Sequence, residues 1–252
     1  MNEKKTLIKS DPVAAVQRAL SVLGAFRYGE RAITLTMIAE RTGLYKSTVL
    51  RLLQTLMAND YISAGDGGLY SIGPKPLILA SMYQQSVQDH ELVLPVLRYL
   101  VDQTNESASY SVARSATRIC LYRVDSPHRI RDHLRPGDAF PLGKGASGKV
   151  LAAYANPLAS GSEAVIKQVL IRSFGETDPY ATGMAAPVFQ QGQIVTATVA
   201  LSGPRDRFTD EAMLAAEVPL LNAARDLSAR LGGDLSLLDS ALSHRKRLDR
   251  SQ

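Results

Sequence analysis

The sequence predicts an α+β chain in two parts: a basic three-helix segment closed by a β-hairpin, then a larger mixed segment built on an antiparallel sheet. Three observations predict it. Apolar residues of the first segment recur at three- and four-residue spacing. Two β-prone runs that follow are joined by Gly65-Asp66-Gly67-Gly68. Beyond residue 90, hairpin-linked strands are flanked by helices. A length of 252 residues accommodates two domains, and 45% apolar with 21% charged residues is the balance of a globular protein rather than a disordered chain.

No apolar run reaches the ~20 residues needed to span a bilayer, and Met1-Asn2-Glu3-Lys4-Lys5 lacks a signal-peptide core, so a cytoplasmic protein without membrane contact is expected. Cys120 is the only cysteine, which excludes an intramolecular disulfide and a Cys-rich zinc site; it reads as a small buried hydrophobe. Residues 1–76 hold ten Lys/Arg against six Asp/Glu, whereas 77–244 hold fifteen against seventeen. A second basic cluster, Arg245, Lys246, Arg247 and Arg250, ends the chain. A basic module beside a near-neutral one suits a polyanion-binding head on a body that binds something else.

In the first segment, Asp11-Pro12 offers an N-cap and a first-turn proline for a helix carrying Val13, Val16, Leu20 and Leu23, stopped by Gly29. Thr34 can cap a second, short helix that turns Leu35, Ile38 and Ala39 inward and closes at Gly43. The third helix, 46–58, has Val49, Leu52, Leu53 and Leu56 as one apolar stripe. Opposite lie Ser47, Arg51 and Gln54, with Lys46, Thr48 and Thr55 beside them: short hydroxyls, an amide and cations that reach phosphates and base edges. The strands Tyr61-Ile62-Ser63-Ala64 and Leu69-Tyr70-Ser71-Ile72 complete a winged helix-turn-helix, whose order of elements and polar outer face favour DNA over a plain three-helix domain.

Ile38-Ala39-Glu40-Arg41-Thr42-Gly43-Leu44, Lys46-Ser47-Thr48-Val49, Arg51-Leu52-Leu53-Gln54-Thr55-Leu56 and Tyr70-Ser71-Ile72-Gly73 resemble, in register, the DNA-binding domain of IclR-type (isocitrate lyase regulator) transcriptional regulators. Two positions depart from the pattern. Tyr45 stands where such proteins have a small polar residue or proline, and the wing carries no Lys or Arg between Tyr61 and Ile72. The third helix is therefore expected to carry most of the contact with double-stranded operator DNA, through Lys46, Ser47, Thr48, Arg51 and Gln54.

After Pro74 and Pro76, the residues Leu77, Ile78, Ala80, Met82 and Tyr83 begin a largely uncharged helix running to about residue 88. It either packs on its own domain or, as the resemblance implies, links to a copy of itself in a homodimer or homotetramer. The expected organisation is a head at 1–73, a linker helix at 74–89 and a second domain at 90–252. In that domain the pattern predicts helices at 91–104, 146–155, 162–173 and 210–231. It predicts strands at 107–113 and 118–124, further short strands to 142, and strands at 183–190 and 193–202. There is no internal repeat.

Gly143-Lys144-Gly145-Ala146-Ser147-Gly148-Lys149 satisfies a phosphate-loop string, but Val150 stands where a hydroxyl should meet magnesium, and Pro141 spoils the preceding strand as a buried parallel one. A nucleotide-binding enzyme built on this loop is the runner-up reading, and a DNA-binding scaffold without ligand the third. The stretch Pro141-Leu142 through Ala146-Ser147-Gly148-Lys149-Val150-Leu151-Ala152 instead resembles the IclR effector-domain signature, as do Gly183-Met184-Ala185-Ala186-Pro187-Val188-Phe189 and Val199-Ala200-Leu201-Ser202-Gly203-Pro204. The resemblance implies a GAF-like fold that binds a small-molecule effector, often a carboxylic acid, through Ala146, Ser147, Ala200 and Ser202, with Asp178 near an acidic position that can face the ligand. Asp178 before Pro179 is equally a turn-former. The start of a helix at 146–148 offers unpaired amides and a positive dipole end to an anion.

No cofactor, metal site or catalytic residue is expected. His90, His128, His133 and His244 are scattered, and the five-residue spacing of His128 and His133 in a strand-like stretch puts them on opposite faces. Arg123, Arg129, Arg131 and Arg135 read as a solvated strand face, or as the source of one guanidinium for a carboxylate.

Overall fold

A computed structural model of the chain describes residues 13–27, 29–86 and 89–249. It divides into two compact units, Met1–Val87 and Gln88–Gln252.

The first unit is a winged helix. Helices α1 (Ala14–Leu23), α2 (Leu35–Thr42) and α3 (Lys46–Ala58) enclose a core of Val22, Ile33, Ile38, Val49, Leu53 and Ile62. Thr34 caps α2 as its sequence position suggests, its Oγ1 accepting from the Met37 amide at 3.2 Å. Gly43 ends α2 at φ +68°, a left-handed turn that glycine adopts without steric cost and that redirects the chain into α3. Asp11-Pro12 lies outside the described residues. Gly24, not Gly29, ends α1, and Val13, Val16 and Leu20 are exposed, because the core takes the face of Ala19, Val22 and Leu23 instead. Strands β2 (Ile62–Ala64) and β3 (Leu69–Ile72) form the wing; β1 (Ile33–Thr34), too short to announce itself in sequence, pairs antiparallel with β3. Helix α4 (Lys75–Ser86) follows, with Leu77, Ile78, Met82 and Tyr83 exposed.

The second unit is a six-stranded antiparallel sheet of order β6-β5-β4-β9-β8-β7, formed by β4 (Ser107–Arg114), β5 (Thr117–Val124), β6 (Ala139–Pro141), β7 (Ile171–Phe174), β8 (Ala181–Gln190) and β9 (Ile194–Pro204). Helices α5 (Asp89–Thr104) and α8 (Asp210–Arg230) cover one face over Leu97, Leu100, Tyr110, Met184, Leu201 and Leu220. Helix α6 (Gly145–Ala155) packs on the other face, with α7 (Ser162–Gln168) beside it.

Two further expectations are corrected. Residues 162–173 are not one helix: α7 stops at Gln168, Val169 turns the chain at φ +61°, and the apolar run after it becomes edge strand β7. Between β5 and β6 the chain is irregular rather than a series of strands, so the alternation argument for His128 and His133 does not apply. Helix α9 (Ser236–Asp249), sparse in apolar residues, packs on α8 and seats Leu238 and Leu242 in the core. Arg245 of the terminal basic cluster is bound to the buried Glu217, its Nε 2.5 Å from Oε2. Proline in β6 is explained by position, since β6 is an edge strand. Among the described residues no helix is long and apolar enough to cross a membrane.

Candidate functional site

The face of α3 opposite its buried stripe exposes Lys46, Ser47, Arg51 and Gln54, with Thr48 half-buried. Among the described residues neither Lys46 nor Arg51 forms an ion pair, whereas Arg41 is committed: its guanidinium binds Glu30 at 2.6 and 2.7 Å and donates to the Ala25 carbonyl at 2.8 Å. Arg41 holds the Glu30 carboxyl below the usual carboxylate range. That bridge fastens α2 to the loop after α1 and leaves α3 to present the unpaired cations. Tyr45, 86% exposed, stands at the start of α3 with its ring in solvent. The wing's only charge between Tyr61 and Ile72 is Asp66.

In the second unit a cavity of about 230 Å³ opens between α6, the sheet and the chain segments 132–140 and 176–181. Ala146, Ser147, Asp178, Ala200 and Ser202, drawn from three separate stretches of the sequence, all line it. Strand β4 explains the hydrophilic floor. Its residues alternate Ser107, Ser109 and Ser111 with Ala108, Tyr110 and Val112, and all six are buried, so the apolar side faces the α5–α8 core while the hydroxyl side faces α6. That alternation is a signal, present in the sequence, for a lined polar cavity, and the sequence-based reading does not use it.

Two arginines of β5 carry the main differences from the sequence-based expectation. Arg118 and Arg123 are five residues apart, which in a regular strand places them on opposite faces. A register shift opposite Tyr110 and Ser111 pairs Arg123 with Ser109, Cys120 with Ser111 and Arg118 with Ala113, so all three share the cavity face. Arg123 is no solvated side chain: it is 3% exposed and bridges Asp125 and Asp132, each at 2.6 Å. Asp132 also accepts a hydrogen bond from Ser202 Oγ at 2.9 Å, so the Ser202 hydroxyl spends its proton inside the wall.

Arg118 differs. It lines the cavity at 7% exposure, its Nε has no hydrogen-bond partner, and among the described residues no carboxylate pairs with it. The Phe140 ring lies under its guanidinium at 4.8 Å. A cation–π contact contributes about 0.5–2 kcal/mol, against a desolvation cost of several kcal/mol for a buried ion. Burial accordingly pulls the Arg118 pKa down, partly offset by nearby Cys120 and Asp138.

The amino end of α6 is not open in the way the sequence suggests. Glu176 Oε2 accepts from the Gly145 amide at 3.1 Å, and its other oxygen is ion-paired with Lys149. The chain's own carboxylate thus occupies the dipole end, and the lysine of the phosphate-loop string is already neutralised. Asp178 lines the cavity while its Oδ1 accepts from the Tyr180 amide at 2.9 Å, so its turn-forming and cavity-lining roles coexist.

Cys120 is buried beside the two arginines, and desolvation pushes its thiol up to about 12, against the opposing pull of Arg123 and Arg118. The native protein is expected to resist iodoacetamide at neutral pH while the unfolded chain is labelled, checked by intact-mass spectrometry. Full labelling of the native protein would show that this face opens.

Residues 15–64 match the IclR helix-turn-helix domain and residues 83–179 the bacterial transcriptional regulator IclR C-terminal domain. The chain is 28% identical over 247 residues to the HTH-type transcriptional regulator BhcR of Paracoccus denitrificans (strain Pd 1222), covering 87% of this chain and 88% of that protein. It is also 28% identical to the HTH-type transcriptional regulator KdgR of Escherichia coli (strain K12), covering 88% and 94%. Its fold matches the IclR transcriptional regulator of Alicyclobacillus acidocaldarius, with a TM-score of 0.73 at 24% identity over 87% of this chain and 99% of that one. It likewise matches an IclR homolog of Microbacterium hydrocarbonoxydans complexed with 4-hydroxybenzoate, with a TM-score of 0.68 at 19% identity over 86% and 100%. A winged head and an antiparallel-sheet unit with a lined cavity, matched in both parts and over most of their length, make this chain a member of the IclR family of bacterial transcriptional regulators.

Proposed function

We propose that the chain is a ligand-responsive regulator that binds double-stranded operator DNA through α3 and adjusts that affinity to a small-molecule effector held in the α6 cavity. The observation that carries the DNA part is the outer face of α3. Lys46, Ser47, Thr48, Arg51 and Gln54 stand on a helix locked from behind, and its two cations have no ion-pair partner among the described residues. Phosphate contacts need such free cations, and base edges need short polar side chains. The wing, without Lys or Arg, adds little charge.

The effector part rests on the cavity lined by Ala146, Ser147, Asp178, Ala200 and Ser202. At about 230 Å³ it lies below the ~300–1,000 Å³ of pockets for drug-sized ligands, which points to a small molecule. The 4-hydroxybenzoate complex of the Microbacterium homolog supports a carboxylic acid as the ligand class. The chain works as a head (1–73), a linker helix (74–89) and an effector domain (90–252), acting in the cytoplasm as a homodimer or homotetramer. The exposed apolar residues of α4, Leu77 at 74% and Met82 at 57%, support self-association through that helix. Effector binding then shifts the population of head arrangements competent for DNA. No catalytic role is assigned; the enzyme reading of Gly143–Lys149 is disfavoured by the Lys149–Glu176 ion pair and by Val150.

Fluorescence anisotropy with the DNA upstream of the protein's own gene tests the reading. Specific DNA is expected to bind far more tightly than random DNA; equal affinities from a folded protein would overturn it. Arg51→Ala is expected to weaken binding and to lower the slope of log affinity against log salt by about one, the signature of one lost phosphate contact. An unchanged slope with lost sequence preference would assign Arg51 to a base edge.

A further inference from the structure

We infer that Arg118 is the anion anchor of the cavity and that the effector it selects is a small organic monocarboxylate bearing a hydrogen-bond donor. The inference rests on the proposed effector role of the cavity and names what that cavity chooses.

Four observations converge on it. Arg118 is more than nine-tenths buried, faces the cavity and leaves its Nε without a partner. Among the described residues Arg118 is the only Lys or Arg that lines the cavity, and its neighbours are matched elsewhere: Arg123 by Asp125 and Asp132, Lys149 by Glu176. The end of α6, where an anion would otherwise settle, holds the Glu176 carboxylate, and a second carboxylate there would meet a like charge. Lastly, Phe140 fixes the guanidinium plane from one side, leaving its donors for a planar carboxylate, which matches their fork in a bidentate pair.

The rest of the lining sets the remainder of the ligand. Leu134 and Phe140 are apolar and suit a carbon skeleton rather than a bare inorganic anion. Asp138 and Asp178 also line the cavity, and both accept from backbone amides, those of Arg135 at 2.7 Å and Tyr180 at 2.9 Å. These partners are neutral amides, which leave the two carboxylates as acceptors facing the ligand. They repel a second carboxylate on it and accept from a hydroxyl or amino group. A hydroxy acid fits these conditions; a diacid does not.

The test compares wild type, Arg118→Met and Arg118→Lys in the full-length protein by calorimetry and thermal shift. The probes are hydroxylated aromatic and aliphatic monocarboxylates, 4-hydroxybenzoate among them, with their primary amides, terephthalate and inorganic phosphate. At least one hydroxy acid is expected to bind wild type, with its amide, terephthalate and phosphate at least about tenfold weaker. Arg118→Met should abolish acid binding and Arg118→Lys should restore part of it, while both still bind DNA. Without ligand, Arg118→Met should melt at a higher temperature than wild type, because an unpaired buried charge is gone.

Equal acid binding by Arg118→Met, or an amide or phosphate that binds as well as the acid, would overturn the anchor. A ligand-free Arg118→Met protein that melts lower than wild type would also overturn it and assign Arg118 to holding β6 through Phe140. If acids alter DNA affinity equally in wild type and Arg118→Met, the regulator reading stands and only the anchor falls. If no probe binds wild type, both the anchor and the carboxylic-acid part of that reading fall, and DNA binding is judged separately by the anisotropy experiment.

Discussion

Leu53→Ala is expected to unfold the DNA-binding unit while the effector unit stays folded. Leu53 is fully buried in α3, in a core that also includes Val22, Ile33, Ile38, Val49, Leu56 and Ile62. Truncating a fully buried leucine costs about 2–5 kcal/mol, the transfer term plus the cavity left behind. A core of this size supplies only ~3–5 kcal/mol of net stability, so the substitution removes most or all of it. The larger unit has a separate core around Leu97, Tyr110, Leu201 and Leu220, and the division between the units falls between Val87 and Gln88. Calorimetry should therefore show one transition lost or moved below room temperature and the other retained, with ligand binding intact and DNA binding gone. Leu52→Ala, at a half-buried site of the same helix, should cost less. A Leu53→Ala protein with both transitions unshifted would mean that the α3 stripe does not anchor the helix.

That contrast between the units also explains what the sequence makes legible. In the head the decisive signals are local: Thr34 bonds an amide three residues on, Gly43 turns the chain directly after α2 ends, and the α3 stripe repeats within a single helix. What the sequence hides is non-local. β1 is defined by its pairing with β3, where Ile33 meets Tyr70. The shared face of Arg118 and Arg123 depends on a register shift against β4, which no count along β5 alone contains. Glu176 reaches the amide of Gly145 across 31 positions, turning an apparently open anion site into a closed one. Residues carried by motif, such as Ala146 and Ser202, fall on the cavity wall. Much of the charge on that wall nevertheless belongs to Arg118, Asp132, Asp138 and Glu176, which no short motif contains. Helix α9 is hidden for a related reason: its buried Leu238 and Leu242 are a short stripe in a mostly polar run, and packing on α8 rather than periodicity defines it.

Gly203→Ala carries the second large expected effect, and it couples stability to the cavity. A Cβ built on Gly203 would overlap Glu106 Oε2 and lie 2.7 Å from the carboxyl carbon. A clash with the far end of a side chain is ordinarily cheap, because the side chain swings away. Glu106 cannot swing freely, because it is 3% exposed and Arg207 grips both its oxygens, at 2.6 and 2.8 Å. Displacing the carboxylate breaks a bidentate pair and strands a buried charge, at a cost of ~3–5 kcal/mol. The disturbance travels further, since Arg207 also donates to the Ile130 carbonyl at 3.1 Å and so ties down the irregular segment between β5 and β6. That segment supplies Asp132, His133, Leu134 and Asp138 to the cavity, and the neighbouring Ser202 holds Asp132. Gly203→Ala should therefore lower the melting temperature of the effector unit and weaken acid binding together, without touching the head's own transition. Pairing it with Glu106→Gln separates the two contributions: the amide removes the charge but keeps the volume, so Gly203→Ala should cost less when Glu106→Gln is already present than in wild type. Equal costs in both backgrounds would show that the penalty comes from the β8–β9 backbone rather than from the carboxylate.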